Sequence, residues 1–306
     1  MSNPKERHVP VLFQQTIDLL RVRPGSTVVD CTLGLAGHAA GIIRLLGPRG
    51  HLIGFDRDPQ ALALAGEKLD RVCRELGAEA PKITLIGEAF SAAPLHLQPA
   101  SVDGLIADFG VSSLQLDEAE RGFSFMADGP LDMRMDTRSG PTAAQVVNEI
   151  SERELADLIY ENGEERRSRT VARAIVRGRP VTTTGQLARI VASAVPPQKH
   201  DKKHGHIHPA TRTFQALRIY VNRELDEIKD LLEAAPNLLK PSGRLVVISF
   251  HSLEDRIAKD SLRDGAQKGI WEVLTRKPVT AGEEETDRNP RSRSAKLRAA
   301  EKKTGT

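Results

Sequence analysis

Short apolar runs alternate with longer segments of helical spacing over the first third of this chain. Ser26–Cys31, His51–Asp56, Lys82–Ile86 and Val102–Asp108 have the length and β-branched content of strands. Gly37–Leu46 and Pro59–Leu76 repeat their apolar residues at three- and four-residue intervals, which predicts helices between the first three strands. Pro59 suits a first helical turn, where no backbone donor is needed. Strand, helix, strand in this order predicts a parallel sheet with right-handed crossovers, an α/β fold.

The pattern changes after Asp108. From about Ser112 to Pro209 helical periodicity, turns and charges dominate, and no strand is evident. Glu149–Glu161, Glu164–Arg177 and Thr184–Ala194 read as amphipathic helices, and Thr211 to Leu232 as one long helix. Pro241-Ser242-Gly243 then turns into Arg244–Phe250, the most apolar strand of the second half. That strand belongs with the first four. The expected organisation is therefore a discontinuous core, 1–111 and 210–306, interrupted by a helical insertion, 112–209. The tail, Asp287 to Thr306, is rich in Arg, Lys and Ser and is expected to be mobile at its end.

Composition narrows the class. The 306 residues are enough for a large core, with 39% hydrophobic and 28% charged residues, the balance of a globular chain. No apolar run has membrane length, and Met1 to Pro10 is polar, so a cytoplasmic protein with no membrane partner is expected. Two cysteines, Cys31 and Cys73, suggest reduced thiols rather than a disulfide framework. The net charge is only +3, but its positive part is clustered, which suits a polyanion partner.

The chemistry concentrates at strand ends. Val28-Val29-Asp30-Cys31-Thr32-Leu33-Gly34-Leu35-Ala36-Gly37-His38 runs from a strand through a small-residue turn into a helix, the arrangement by which open α/β sheets hold nucleotide-like cofactors. Asp56 ends the second strand, where a carboxylate suits a ribose diol. The turn lacks the full glycine spacing of a dinucleotide site. That weakens a nicotinamide reading and favours a donor without phosphates, such as S-adenosylmethionine. Phe90, after the third strand, is placed to cover an adenine. Asp108 closes the fourth strand and should face the reactive end of the cofactor. His200, His204, His206 and His208 invite a metal reading, but their spacing is loose and no metal is expected.

Longer strings carry a family resemblance. Asp30 to His38, Asp108-Phe109-Gly110-Val111-Ser112-Ser113, Arg121-Gly122-Phe123-Ser124-Phe125 and Gly129 to Asp136 are similar to those of the cytosine-N4 methyltransferases of bacterial small-subunit ribosomal RNA (RsmH, formerly MraW). So are His208 to Arg218, Ser249 to Arg256 and Arg291 to Arg298, so the resemblance runs colinearly from about His8 to Arg298. It implies a Rossmann-like S-adenosylmethionine-dependent methyltransferase core with an inserted helical, substrate-recognition domain. It implies methylation of a cytidine at the decoding centre of 16S rRNA, with the small ribosomal subunit as partner. Cofactor contacts would fall on Ala36, Gly37, His38, Asp56, Phe90, Asp108 and Gln115. The family usually carries glycine at the position of Ala36 and proline at that of Leu114, changes that remove no chemical group.

Cytosine N4 is a poor nucleophile because its lone pair is delocalised, and the target base must be unpaired or flipped to be reached. Asp108 is the candidate catalytic residue, with carbonyls of the loop after it. His251, ending the fifth strand, is a second candidate, as a proton shuttle or as a structural histidine. Arg121 and Arg134 face substrate or form an internal salt-bridge network. Arg212 and Arg218 do not share a helix face closely, and the Arg288–Arg298 run is a candidate phosphate contact. A methyltransferase with another nucleic-acid or protein substrate, and a non-catalytic RNA-binding assembly factor, are the rival readings.

Overall fold

The computed structural model describes residues 10–195 and 208–305. His200, His204 and His206 lie outside them. The chain divides into two compact units, Met1–Gly110 with Leu225–Thr306, and Val111–Glu224.

The first unit is built on α1 (Phe13–Leu20), β1 (Thr27–Asp30), α2 (Gly37–Leu46), β2 (His51–Phe55), α3 (Pro59–Leu76), β3 (Lys82–Ile86), the single turn α4 (Ala93–His96) and β4 (Val102–Asp108). In the second unit lie α5 (Ser113–Asp117), α6 (Ala143–Glu149), α7 (Glu152–Gly163), α8 (Ser168–Arg177), α9 (Thr184–Ala194) and α10 (Thr211–Asn222). The chain then returns through α11 (Glu224–Leu238), β5 (Leu239–Ser249), α12 (Ser252–Gln267), β6 (Trp271–Val273), α13 (Glu283–Arg288) and β7 (Lys296–Lys302).

One seven-stranded sheet runs in the order β3-β2-β1-β4-β5-β7-β6. The first five of these pair in parallel, whereas β7 is antiparallel to both β5 and β6. Both faces are covered, so the strands are nearly continuous apolar runs. Their residues divide by the two-residue period of a strand. Val29, Leu105, Ala107, Leu245 and Val247 face a core shared with Leu231 and Leu238 of α11 and Leu262 of α12. Val28, Ile106, Val246 and Ile248 face Leu20 of α1, Ile42 and Ile43 of α2 and Leu69 of α3.

Three expectations change. The Thr211–Leu232 helix is two helices, because Arg223 takes a left-handed conformation, φ 51, between α10 and α11. The division between units falls after Glu224 rather than at 209/210, since Phe214, Ala216 and Leu217 of α10 pack into the core of the second unit. The Arg288–Arg298 run is not all available as a phosphate contact. Residues 296–302 form β7, which sits inside the sheet, with Arg298 buried and Nε 2.7 Å from Asp255 Oδ1. Lys296 Nζ is 3.1 Å from the other oxygen of that carboxylate. Both cations hold Asp255 below its ordinary carboxylate range despite its partial burial. They anchor a strand and are not offered to phosphates.

Candidate active site at the ends of the parallel strands

The strand order reverses between β1 and β4, and it is beyond the carboxyl ends of the strands at such a switch point that open α/β sheets bind ligands. The site residues of the first unit gather there. Asp30 ends β1 in a buried position, and its Oδ1 accepts from the Thr32 N–H at 3.1 Å. Thr32 Oγ1 in turn accepts from the Asp108 N–H at 2.6 Å, which ties the end of β4 to the turn after β1. Asp56, at the end of β2, accepts from Gly34 N–H at 2.8 Å and from Asp58 N–H at 2.9 Å. Burial pushes Asp30 up to about 6, against the opposing pull of His38 and the Thr32 hydrogen bond. It also pushes Asp56 up to about 6, against the two backbone donors.

The turn itself is tight. Gly34 and Ala36 both take left-handed backbone angles, φ 50 and φ 51, and Ala36 N donates to the Leu33 carbonyl at 2.7 Å. Ala36 therefore occupies a conformation natural to glycine while being fully buried. Gly37 opens α2, and a Cβ there would stand 2.8 Å from Pro10 Cγ. One turn on, a Cβ on Gly41 would meet the Phe13 ring at 2.3 Å. The glycines of α2 thus let α1 and the chain before it lie directly on the helix, and Phe13 reaches His38 to stack on its ring at 6.0 Å between centroids.

His38 is buried, with Nε2 3.6 Å from Asp108 Oδ2. Neither His38 ring nitrogen, nor Asp108 Oδ1, has a hydrogen-bond partner among the described residues. Buried polar atoms without partners are costly unless a ligand satisfies them. This is the test of fit for a cofactor here: His38 and Asp108 stand 3.6 Å apart at the ends of the parallel strands, and each keeps a buried polar atom without a hydrogen-bond partner among the described residues. The donor set suits a hydroxyl- and amine-bearing molecule and includes no cationic phosphate clamp.

Phe90 follows β3 in a short helical turn, and its ring lies 6.2 Å from that of Phe109. Gln115 belongs to the second unit. It is buried, and its Oε1 accepts from Ser112 N–H at 3.0 Å as half of a capping box on α5. His251 also has a local role. It caps α12, with Nε2 3.0 Å from Oε1 of the fully buried Glu254, whose Oε2 accepts from the Phe250 and His251 N–H groups. Its Nδ1 accepts from the Glu254 N–H at 3.5 Å, which suits a structural cap, whereas Nε2 is buried without a hydrogen-bond partner among the described residues.

The arginine candidates separate. Arg121 is buried and donates to the carbonyls of Arg134 and Met135, while Arg134 forks onto Asp132 with two 2.8 Å bonds. Of the two readings weighed for this pair, these bonds match the internal network. Arg218 forks onto Glu224 in the same way, and Arg212 donates to the Glu164 carbonyl. His208 packs its ring 4.6 Å from that of Phe125. Thr32 and Phe13 were missed in the sequence. A hydroxyl two residues past a strand-end acid was a usable signal for Thr32, whereas nothing local marked Phe13.

Comparison with known proteins places these features. The family model described as the MraW methylase family matches residues 5–303. The "Ribosomal RNA small subunit methyltransferase H" of Acidobacterium capsulatum is 69% identical over 299 residues, covering 98% of this chain and 99% of that protein. The protein of the same name from Koribacter versatilis is 58% identical, covering 97% and 94%. Among solved structures, a putative rRNA-methylase from Clostridium thermocellum aligns over 98% of this chain and 99% of its own, at 14% identity and a TM-score of 0.47. The match of the family model over nearly the whole chain, with relatives this similar end to end, shows that the chain belongs to the MraW methylase family, the S-adenosylmethionine-dependent family its sequence resembles.

Proposed function

We propose that this protein transfers a methyl group from S-adenosylmethionine to N4 of a cytidine in the decoding centre of 16S rRNA. The observation that carries the reading is the convergence of unpartnered buried polar atoms of His38 and Asp108 at the crevice between β1 and β4. The small-subunit methyltransferase names of relatives up to 69% identical support the substrate class.

When bound, the donor supplies a methyl group already activated on a sulfonium. The protein's part is position and charge. Asp56 would accept from the ribose hydroxyls, and Phe90 would cover the adenine. Ala36, Gly37 and His38 would line the turn, and Gln115 is the further cofactor contact that the family resemblance implies. Asp108 holds its backbone through Thr32, so its carboxylate presents acceptor oxygens at a fixed place. Accepting from the N4 amine would localise the nitrogen lone pair at the moment of attack and receive part of its developing positive charge. His251, held by Glu254, is the weaker of the two proton acceptors considered. The helical second unit would recognise the RNA around the target.

The test uses small subunits lacking the modification, labelled donor and mass mapping of the rRNA. Label on cytosine N4 in the decoding centre is the expected result, and label elsewhere or none would defeat the assignment. Asp108→Asn should cut turnover by a factor of about 100 or more, the scale of losing one preorganised polar contact to the transition state, while its thermal unfolding stays near wild type. Near-normal turnover in the folded variant would remove Asp108 from the chemistry.

A further inference from the structure

Residues 166–195 contain seven arginines and no lysine, aspartate or glutamate. One of the seven, Arg179, serves the fold, donating from Nε to the Val147 carbonyl and from Nη2 to that of Ile150. The other six are exposed. Their centre is α8, which buries Ser168, Val171, Ala172 and Ile175 against the core of the second unit. The opposite face carries Arg169, Arg173 and Arg177 at four-residue intervals, about 6 Å apart along the axis. Arg173 lies 3.4 Å from Glu152, whereas Arg166, Arg169 and Arg177 have no ion pair among the described residues.

This row runs against local electrostatics. Arg166, Arg167 and Arg169 crowd the N-terminal end of α8, where the helix dipole disfavours cations, and its first turn holds no acid to offset them. Like charges four residues apart also repel. The packing of the unit draws on the other face, so Arg166, Arg167 and Arg169 cost stability that it does not recover, whereas Arg177 in the last turn suits the dipole and Arg173 has Glu152 beside it. A row of uncompensated guanidinium groups matches a regular array of phosphates, which the planar fork of arginine binds through two parallel bonds. A lipid surface fits less well. A membrane-lying helix needs its apolar face free, and that face of α8 is buried in the protein's own core.

We infer that the exposed arginine face of α8, extended by Arg166, docks the sugar-phosphate backbone of the RNA substrate. The inference rests on the RNA reading above and names the surface that would serve it. Backbone contacts of this kind set register and salt dependence without reading sequence.

The experiment is the salt dependence of binding between the full-length protein and purified small ribosomal subunits lacking the modification. Each lost phosphate contact lowers the slope of log affinity against log salt by about 0.7 to 0.9. The variant R166Q/R169Q/R177Q should therefore lose about 2 to 3 from that slope. It should also raise KM for subunits while keeping the wild-type unfolding temperature and donor affinity. R71Q/R74Q/R263Q removes the same charge from exposed positions of the first unit and should keep the wild-type slope. A wild-type slope in the α8 variant, or an equal loss in the control, overturns the inference even if rRNA is methylated. Subunits bound with full salt dependence but never methylated would overturn the proposed function instead, and the same pair of slopes would still decide the role of α8. Loss of binding to anionic phospholipid vesicles with an unchanged RNA slope would reassign the face to a membrane surface and also overturn it.

Discussion

Asp30→Asn isolates the cost of holding an ionised acid at the closed end of β1. Asp30 is pushed from its ordinary 3.8 to about 6, chiefly by burial. An acid whose folded pKa is raised favours the folded state at low pH, and that advantage is lost as pH rises through the folded value. A shift of about 2 units corresponds to about 3 kcal/mol, of which about 1.4 kcal/mol falls between about pH 5 and about pH 8. Asparagine keeps an acceptor for the Thr32 N–H and removes the titration. Relative to wild type, D30N should therefore gain about 1.4 kcal/mol of stability on going from pH 5 to pH 8. With a urea m-value of about 3 kcal/mol/M this is a relative midpoint shift of about 0.5 M. Trp271 is the one tryptophan, and it is buried in the first unit with Asp30, so its fluorescence reports the relevant transition. A difference between D30N and wild type that does not change with pH would refute the reasoning, because it would mean that Asp30 pays no ionisation penalty on folding.

Asp56, at about 6 through burial, should couple donor affinity to pH. In the proposed site its ionised form would accept from two ribose hydroxyls, so calorimetric S-adenosylmethionine affinity should fall as pH drops through about 6 and the carboxylate protonates. Asp56→Asn should bind more weakly with a flatter profile, and parallel profiles would contradict the ribose assignment. Gly41→Ala gains about 1 kcal/mol of helix propensity, yet drives a Cβ to within 2.3 Å of the Phe13 ring. Overpacking should win, for a net loss of about 1 to 2 kcal/mol in chemical denaturation. Donor affinity should weaken with it, because Phe13 stacks on His38; unchanged stability and affinity would show that the ring moves aside freely.

Much of the site was readable as a list of residues but not as an arrangement. The acids at the ends of β1, β2 and β4 stand out because a carboxylate closing an apolar run needs a special environment, and Asp30, Asp56 and Asp108 all occur at strand ends in the crevice region. The partners of those acids are not readable in the same way. Thr32 reaches Asp108 across 76 residues of sequence, and Phe13 reaches His38 from a helix that precedes the first strand. Arg121, Arg134 and Arg218 look alike in a sequence. Only their packed surroundings show that each is held by carbonyls or a carboxylate of its own unit.

The same division holds for the fold. Periodicity is a local property, and it correctly marked the four early strands, the helices between them and the helical insertion, because burial on one or both faces of an element imposes a local repeat. Two features depended on contacts distant in sequence. β7 is charged and basic, and becomes a strand because Leu297, Ala299 and Ala300 complete cores on both faces of the sheet while Asp255 neutralises Lys296 and Arg298. The break at Arg223 separates two helices whose apolar residues continue one pattern but enter different cores. The sequence alone therefore determined the early strands and most of the helices, the family and the chemical groups available. Tertiary packing decided which of those groups are satisfied by the protein itself, as Arg298 is by Asp255, and which, like His38 and Asp108, keep polar atoms without a partner among the described residues, because hydrogen-bond satisfaction is set across the folded chain rather than along it.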